Sequence, residues 1–163
     1  MNSPGSPNLI RNTAHALAAL FSNSADFRRD WKRYSAVGSP PQGIEGCWLG
    51  EWISDVNGHH GQLEGVVTKS DSGKYQACFH ATYSRFLRVY YEVDLKGREE
   101  NGHVELEGEA DLGQLAGGVY HYTGEATPTG FHCQYRCKYD HGPFRMKRLD
   151  ATTNTLVPNR SNS

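Results

Sequence analysis

Two runs of alternating side chains meet at a short gap in residues 74–95, which read KYQACFHATYSRFLRVYYEVDL. In each run every second residue is apolar or aromatic, as from Tyr75 to Tyr83. A period of two is typical of a strand with one buried face, and a gap as short as Ser84-Arg85 joins antiparallel neighbours. The stretch therefore predicts a β-hairpin.

The same alternation continues on both sides of this hairpin. Each run is followed by a few turn-forming residues, such as Asn57-Gly58 or Asp71-Ser72-Gly73. Short gaps make consecutive strands antiparallel neighbours in a meander. Eight strands are predicted, near residues 46–54, 61–69, 74–83, 86–95, 103–112, 118–127, 130–138 and 143–149.

One face of every predicted strand is apolar. A single sheet with one continuous apolar face has to cover that face, and eight meandering strands cover it by closing on themselves. A two-sheet sandwich is the main alternative, but it usually has longer crossing connections. We therefore predict an all-β fold, an eight-stranded antiparallel up-and-down β-barrel with an N-terminal helical extension.

Three zones of the chain differ in composition. Residues 1–45 are expected to form a helical segment, with one helix from about Ser24 to Tyr34, followed by a linker rich in Pro and Gly. Residues 46–149 form the predicted barrel domain. Residues 150–163 are polar and are expected to be a flexible tail.

Charge and hydropathy limit the partners of the 163-residue chain. Seventeen Lys and Arg against eighteen Asp and Glu give a formal net charge of −1. Such a chain has no strong overall field that would attract nucleic-acid phosphates or an anionic membrane. No stretch approaches the ~20 apolar residues that cross a bilayer. We expect no nucleic-acid partner and no membrane span.

The cysteines predict a reducing compartment. Cys133 and Cys137 fall on one predicted strand, ~13 Å apart, whereas a disulfide needs Cα atoms within about 7 Å. Cys47 and Cys78 fall on the outer face of non-adjacent strands. We expect four free thiols and a cytoplasmic location. The apolar run over residues 14–21 is interpreted as an amphipathic helix, with a secretory signal as the alternative.

The first predicted strand begins with a short motif, and the last carries an arginine that is related to it. Gly46-Cys47-Trp48 opens the barrel as G-x-W, and Arg148 lies on the inward side of the last strand. This pair resembles the calycin signature of lipocalins, fatty-acid-binding proteins and avidins. The resemblance implies that the indole and the guanidinium stack at the closed end of the barrel. It also implies binding of small molecules, although the avidin-type ligands after the Trp and a lipocalin T-D-Y segment are missing.

Aromatic rings dominate the inward side, interleaved with Gly and Ala. Six of them are tyrosines, and hydroxyls that converge in an apolar cavity are typical of a ligand pocket. We expect a small apolar or amphipathic ligand. The alternatives are a solid-core structural or protein-interaction barrel, in which the hydroxyls satisfy one another, and a barrel enzyme. The predicted ligand-binding residues are Trp52, Phe79, Tyr83, Tyr91, Tyr120, Tyr122, Tyr135 and Phe144.

Cofactor and catalytic sites have little support in the sequence. His59, His60 and His141 fall on one side of the predicted open rim and are weak candidates for a Zn²⁺ site. Loop histidines are more often solvated, so we expect no metal. The strand histidines point outward, which argues against haem. No nucleophile has an inward histidine base, so we predict no catalytic residues and do not expect an enzyme.

An acidic ladder runs along the outer face of two neighbouring strands. It consists of Glu92, Asp94, Glu105, Glu107 and Glu109. Like charges on adjacent strands are mildly destabilising, so the ladder is expected to face either water or a basic partner. The cations of the N-terminal helix are one candidate for that partner.

Overall fold

Consecutive runs of alternating residues pair as hairpins along the whole barrel. The structure, a computed structural model, describes residues 24–39, 42–83, 87–114 and 117–149. The predicted helix over residues 14–21 and the predicted tail lie outside them. A helix, α1, spans residues 24–37. The strands are β1 (Gly46–Ile53), β2 (His60–Lys69), β3 (Tyr75–Tyr83), β4 (Leu87–Glu100), β5 (His103–Asp111), β6 (Val119–Ala126), β7 (Gly130–Arg136) and β8 (His141–Arg148).

The eight strands close into an antiparallel barrel in chain order. β1 completes the ring because it pairs with β2 on one side and with β8 on the other. Trp48 therefore lies opposite Gly65 on β2 and opposite Arg148 on β8. The predicted fold class is confirmed, and short turns explain the topology, since each strand can reach only its neighbour in sequence.

The loop predicted over residues 96–102 is wrong. β4 continues to Glu100, and the turn is Asn101-Gly102 alone, with φ of 52° and 81°. Two central residues with positive φ form the primed turn whose twist matches that of a hairpin. The alternation seemed to stop because Gly97 occupies an inward position. A Cβ there would lie 2.6 Å from the Tyr75 ring.

The longer β4 changes the surroundings of the acidic ladder. Lys96 lies opposite Glu107, and Arg98 lies opposite Glu105 with an ion pair of 2.7 Å. Glu105 and Glu107 of the ladder thus have basic neighbours within their own sheet. The expectation that α1 supplies the partner is not met by Arg29, which pairs with carboxylates of its own helix.

The barrel interior is filled by the predicted inward side chains. Trp48, Phe79, Val93 and Phe131 are each at most 1% exposed, and they belong to one continuous apolar cluster. Burial of this apolar surface is the main stabilising contribution to such a fold. The core therefore runs through the whole barrel rather than lining an empty channel.

A second, smaller core lies outside the barrel, under α1. Phe27 packs against Cys47 and Val66 on the outer face of β1 and β2, with Trp31 and Tyr34 beside it. Spacings of four and three residues place these rings on one side of the helix. The predicted helix is confirmed and ends at residue 37. Within the described residues, no helix has the length and hydropathy to cross a bilayer.

The four cysteines are free thiols, as predicted. Cys47 and Cys133 are buried, on opposite faces of the sheet. Burial raises the pKa of each of these two thiols to about 12. A thiol with so high a pKa carries almost no thiolate near neutral pH and is a poor nucleophile.

Candidate functional site

One end of the barrel is sealed by a contact between the first and last strands. The Arg148 guanidinium carbon lies 5.4 Å from the centre of the Trp48 ring. Its Nη2 atom donates hydrogen bonds to the carbonyls of Gly43 and Glu45, at 2.7 and 2.6 Å. The indole Nε1 donates to the Ile44 carbonyl at 3.0 Å. The expected ring contact is thus present, and it fixes the segment that enters β1.

The opposite end gathers the predicted ligand-binding residues. Trp52 lies opposite Phe144, four residues along β1 from Trp48. At this end of the barrel, seven of the eight predicted side chains surround one small void. The eighth, Phe79, contacts the rings of Tyr91 and Phe144. We name the tyrosines of this region the open-end cluster. It consists of Tyr83, Tyr91, Tyr120, Tyr122 and Tyr135.

The void inside the open-end cluster is small. Its volume is about 20 Å³, which is enough for one water molecule. Pre-formed ligand pockets usually begin at about 300 Å³. The aromatic rings occupy the remaining space. In the described part of the chain, the predicted ligand residues therefore meet as a packed core, without the pre-formed pocket that they were expected to line.

Most hydroxyls of the open-end cluster have partners. Tyr135 donates to Asp140 Oδ2 at 3.2 Å. Tyr91 and Tyr122 share a side-chain hydrogen bond, and Tyr120 bonds to a cysteine thiol. Buried polar groups are costly without such bonds, so these contacts explain how four of the five tyrosines fit into one apolar core.

Tyr83 differs from the other members of the cluster. It is half-buried, and its ring lies 4.5 Å from that of Trp52 at an angle of 40°. Among the described residues its hydroxyl has no hydrogen-bond partner. Burial, followed by the charge of Asp140, raises the pKa of Tyr83 to about 12. Tyr83 is thus the least restrained ring that borders the void.

Burial also raises the pKa of the other four tyrosines of the cluster. All five hydroxyls are therefore protonated at neutral pH and can donate hydrogen bonds. The five tyrosines thus offer donors and aromatic faces, and none of them presents an anion to a ligand.

A hydrogen-bonded bridge holds the rim beside this cluster. Ser54, 2% exposed, donates to Asp140 Oδ1 at 2.6 Å and accepts from the amides of Val56 and Asn57, both at 3.2 Å. The bridge joins the β1–β2 turn to the β7–β8 turn. Ser54 was not among the residues predicted from the sequence. A serine directly after a strand, with free turn amides ahead of it, is the signal that could have indicated it.

The rim histidines do not form a metal site. His59, His60 and His141 are exposed, and the nearest partner of the His60 ring is the Gly58 carbonyl at 3.4 Å. Within the described ranges, no three His, Cys, Asp or Glu side chains are arranged to hold a metal ion. The weak Zn²⁺ candidates of the sequence are thus not brought together.

Comparisons with known proteins leave the family open. No protein-family model, no curated protein and no solved structure matches this chain. The calycin resemblance therefore depends on the G-x-W motif and Arg148, and it stays a prediction.

Proposed function

We propose that the protein binds a small, flat, amphipathic molecule at the open end of the barrel. The observation that carries the proposal is the position of the tyrosines. Five of the six interior tyrosines surround one void at this end, whereas Tyr75 lies at the closed end and donates to Glu99. A set of donors within an aromatic core is typical of sites that orient a small ligand.

The ligand enters by displacing Tyr83. The void holds only one water, so a larger molecule needs additional space. The Tyr83 ring borders the void and lies on Trp52, without a hydrogen bond among the described residues. Its outward rotation would leave a ring-sized space against the indole. An aromatic ligand would then stack on Trp52 in its place.

The protonated hydroxyls define the class of ligand. They favour a conjugated or aromatic molecule with carbonyl, ether or hydroxyl oxygens that accept hydrogen bonds. The surrounding rings favour a molecule whose remaining surface is apolar. A highly charged ligand fits poorly, because among the described residues the interior at the open end offers no charged group apart from Asp140 at the rim.

A binding screen with matched tyrosine variants tests this proposal. Flavonoids, retinoids and fatty acids would be added to the full chain, and its melting temperature and tryptophan fluorescence would be measured. A ligand at the open end should raise the melting temperature, since it binds only the folded state. Tyr122→Phe should weaken its affinity severalfold, whereas Tyr75→Phe at the closed end should leave the affinity unchanged.

The main alternative is a solid-core barrel that acts through its surface. The small volume of the void favours it, because the packed interior needs no ligand to complete it. Under this alternative no compound of the screen shifts the melting temperature. In addition, no small molecule accompanies the purified protein in native mass spectrometry. That combined result would overturn ligand binding.

A further inference from the structure

The outer face of β7 and β8 carries only basic and neutral side chains. Arg136, Arg145 and Lys147 are exposed there, and no Asp or Glu lies within either strand. In the described part of the chain, none of the three cations makes an ion pair. We name these three residues the basic face. Exposed cations that lack partners within the fold are available to an anionic surface outside it.

A groove of about 590 Å³ runs beside the basic face, over β8, β1 and β2. Lys147 and Arg145 line one side of it, and the other side is lined by Leu49, 39% exposed, and by Glu51, which lies opposite Arg145 in the β1–β8 pair. The strands approach closely here. A Cβ at Gly50 would lie only 1.8 Å from the Arg145 carbonyl. The fold thus presents a concave surface that combines two cations and one carboxylate with an exposed apolar side chain.

The acidic ladder lies on the opposite side of the barrel. β4 and β8 are four strands apart in a ring of eight. Near the open end of the ladder, Asp94 lies directly opposite Glu109, and the only ion-pair contact of Glu109 within the described residues is His121 at 3.3 Å. Burial and the charge of Asp94 raise the pKa of Glu92. Like charges on adjacent strands repel each other, and a cation from another molecule that binds beside them reduces this repulsion.

We propose that the groove beside the basic face binds the acidic ladder of a second copy of this chain. The two surfaces have opposite net charge, because Arg145 and Lys147 outnumber Glu51 in the groove. The net charge of −1 causes little overall repulsion between copies. The chain's own terminal segments are poor alternatives. Residues 1–23 contain no Asp or Glu, and residues 150–163 contain one.

The position of the two surfaces decides the type of assembly. Because they lie on opposite sides, each copy binds one neighbour through its groove and another through its ladder. Such a heterologous contact adds copies head to tail instead of closing as a two-fold dimer. Exposed ion pairs are individually weak, so the assembly should be reversible, should grow with concentration and should depend strongly on salt.

Sedimentation velocity of the full chain tests the proposal. At low ionic strength the average sedimentation coefficient should rise with concentration, and the rise should disappear in about 1 M salt, where the Debye length is about 3 Å. Lys147→Glu and Asp94→Lys should each abolish the rise. Lys74→Glu and Asp71→Lys make the same charge changes in an exposed turn and should preserve it.

Mixing the two defective variants gives the decisive result. Lys147→Glu retains a complete ladder and Asp94→Lys retains a complete groove, so an equimolar mixture should form a 1:1 dimer and nothing larger. A wild-type chain that stays monomeric at all concentrations would overturn the proposal, as would a mixture that fails to dimerise. Binding of a polyglutamate peptide to a monomeric wild type, lost in Lys147→Glu, would assign the groove to a different acidic partner.

Discussion

The two ends of the barrel are built from the same alternating strands but are stabilised differently. At the closed end, a guanidinium stacks on Trp48 and donates charge-assisted bonds to two carbonyls. At the open end, Tyr135 donates to the Asp140 carboxylate at the rim, while Tyr91, Tyr120 and Tyr122 make neutral bonds around a water-sized void. Tyr83 makes no hydrogen bond among the described residues. Charge-assisted bonds are about twice as strong as neutral ones. The closed end is therefore the stable base, and the open end can rearrange.

The largest expected effect compares the two inward tryptophans of β1. Trp48→Ala should lower the free energy of unfolding by about 3–5 kcal/mol. The substitution removes a fully buried ring, its contact with Arg148 and its hydrogen bond to the Ile44 carbonyl. Trp52→Ala should cost clearly less, since the half-buried Tyr83 can move into the space. Urea unfolding of both variants measures this difference. Equal losses would mean that the two ends are equally rigid.

Arg148 should give the next largest effect. Arg148→Ala is expected to cost about 1–3 kcal/mol, because two carbonyls lose their donor and Trp48 loses its cation. Arg148→Lys should recover only part of this loss, since an ammonium lacks the planar fork of a guanidinium. Affinity for an open-end ligand should not change in either variant. Superimposable urea curves for the three proteins would show that the contact contributes nothing.

Alkaline pH should remove stability that the tyrosines of the open end contribute. The pKa of each cluster tyrosine is raised in the folded state, to about 12 for Tyr83, so the stabilisation is complete below the unfolded value of 10.0. This stabilisation is lost as the pH rises from about 10 towards the pKa of the folded state. The free energy of unfolding falls by about 1.4 kcal/mol per pH unit for each proton that the folded state retains and the unfolded state has released. Urea midpoints measured from about pH 8 to about pH 11 should fall steeply above about pH 10.

A variant separates the tyrosines from the buried thiols in this experiment. The thiols act in the same direction, since burial raises the pKa of Cys47 and Cys133 from 9.0 to about 12. Tyr122→Phe removes one raised tyrosine and leaves the thiols in place. Its midpoint should fall less steeply above about pH 10. An unchanged slope would assign the alkaline loss to the cysteines.

The smallest effect concerns the hydroxyl of Tyr83. Tyr83→Phe should change stability by less than about 0.5 kcal/mol, because the ring stays and no described partner is lost. Tyr135→Phe should cost about 1 kcal/mol, since its hydroxyl donates to Asp140. Thermal unfolding of the two variants gives the comparison. A larger loss for Tyr83→Phe would show that Tyr83 is held in place and cannot act as the gate.

The alternation of side chains was sufficient to predict the strands and their order. It failed over residues 96–100 because Gly97 has no side chain to mark its inward position. The contact of Trp48 with Arg148 was also predictable, since a meander of eight strands brings its first and last strands together. These features depend on local pattern and chain order alone.

The candidate site could be predicted only as a set of residues. The same rings that line a pocket can also fill it, and the outcome depends on ring orientation, which no sequence pattern specifies. The bridge from Ser54 to Asp140 joins residues 86 positions apart, so neither residue indicates the other. The burial of Cys47 on the outer face likewise depends on where α1 packs.

The pairing of β1 with β8 has a consequence for how the chain folds. Trp48 and Arg148 lie in the first and last strands of the barrel, and closing so long a loop is slow compared with forming hairpins. During synthesis, β1 has to wait for β8 to emerge from the ribosome, with one of its edges unpaired. α1 is made first and packs across β1 and β2, so it can shield their outer face from other chains until the last strand completes the ring.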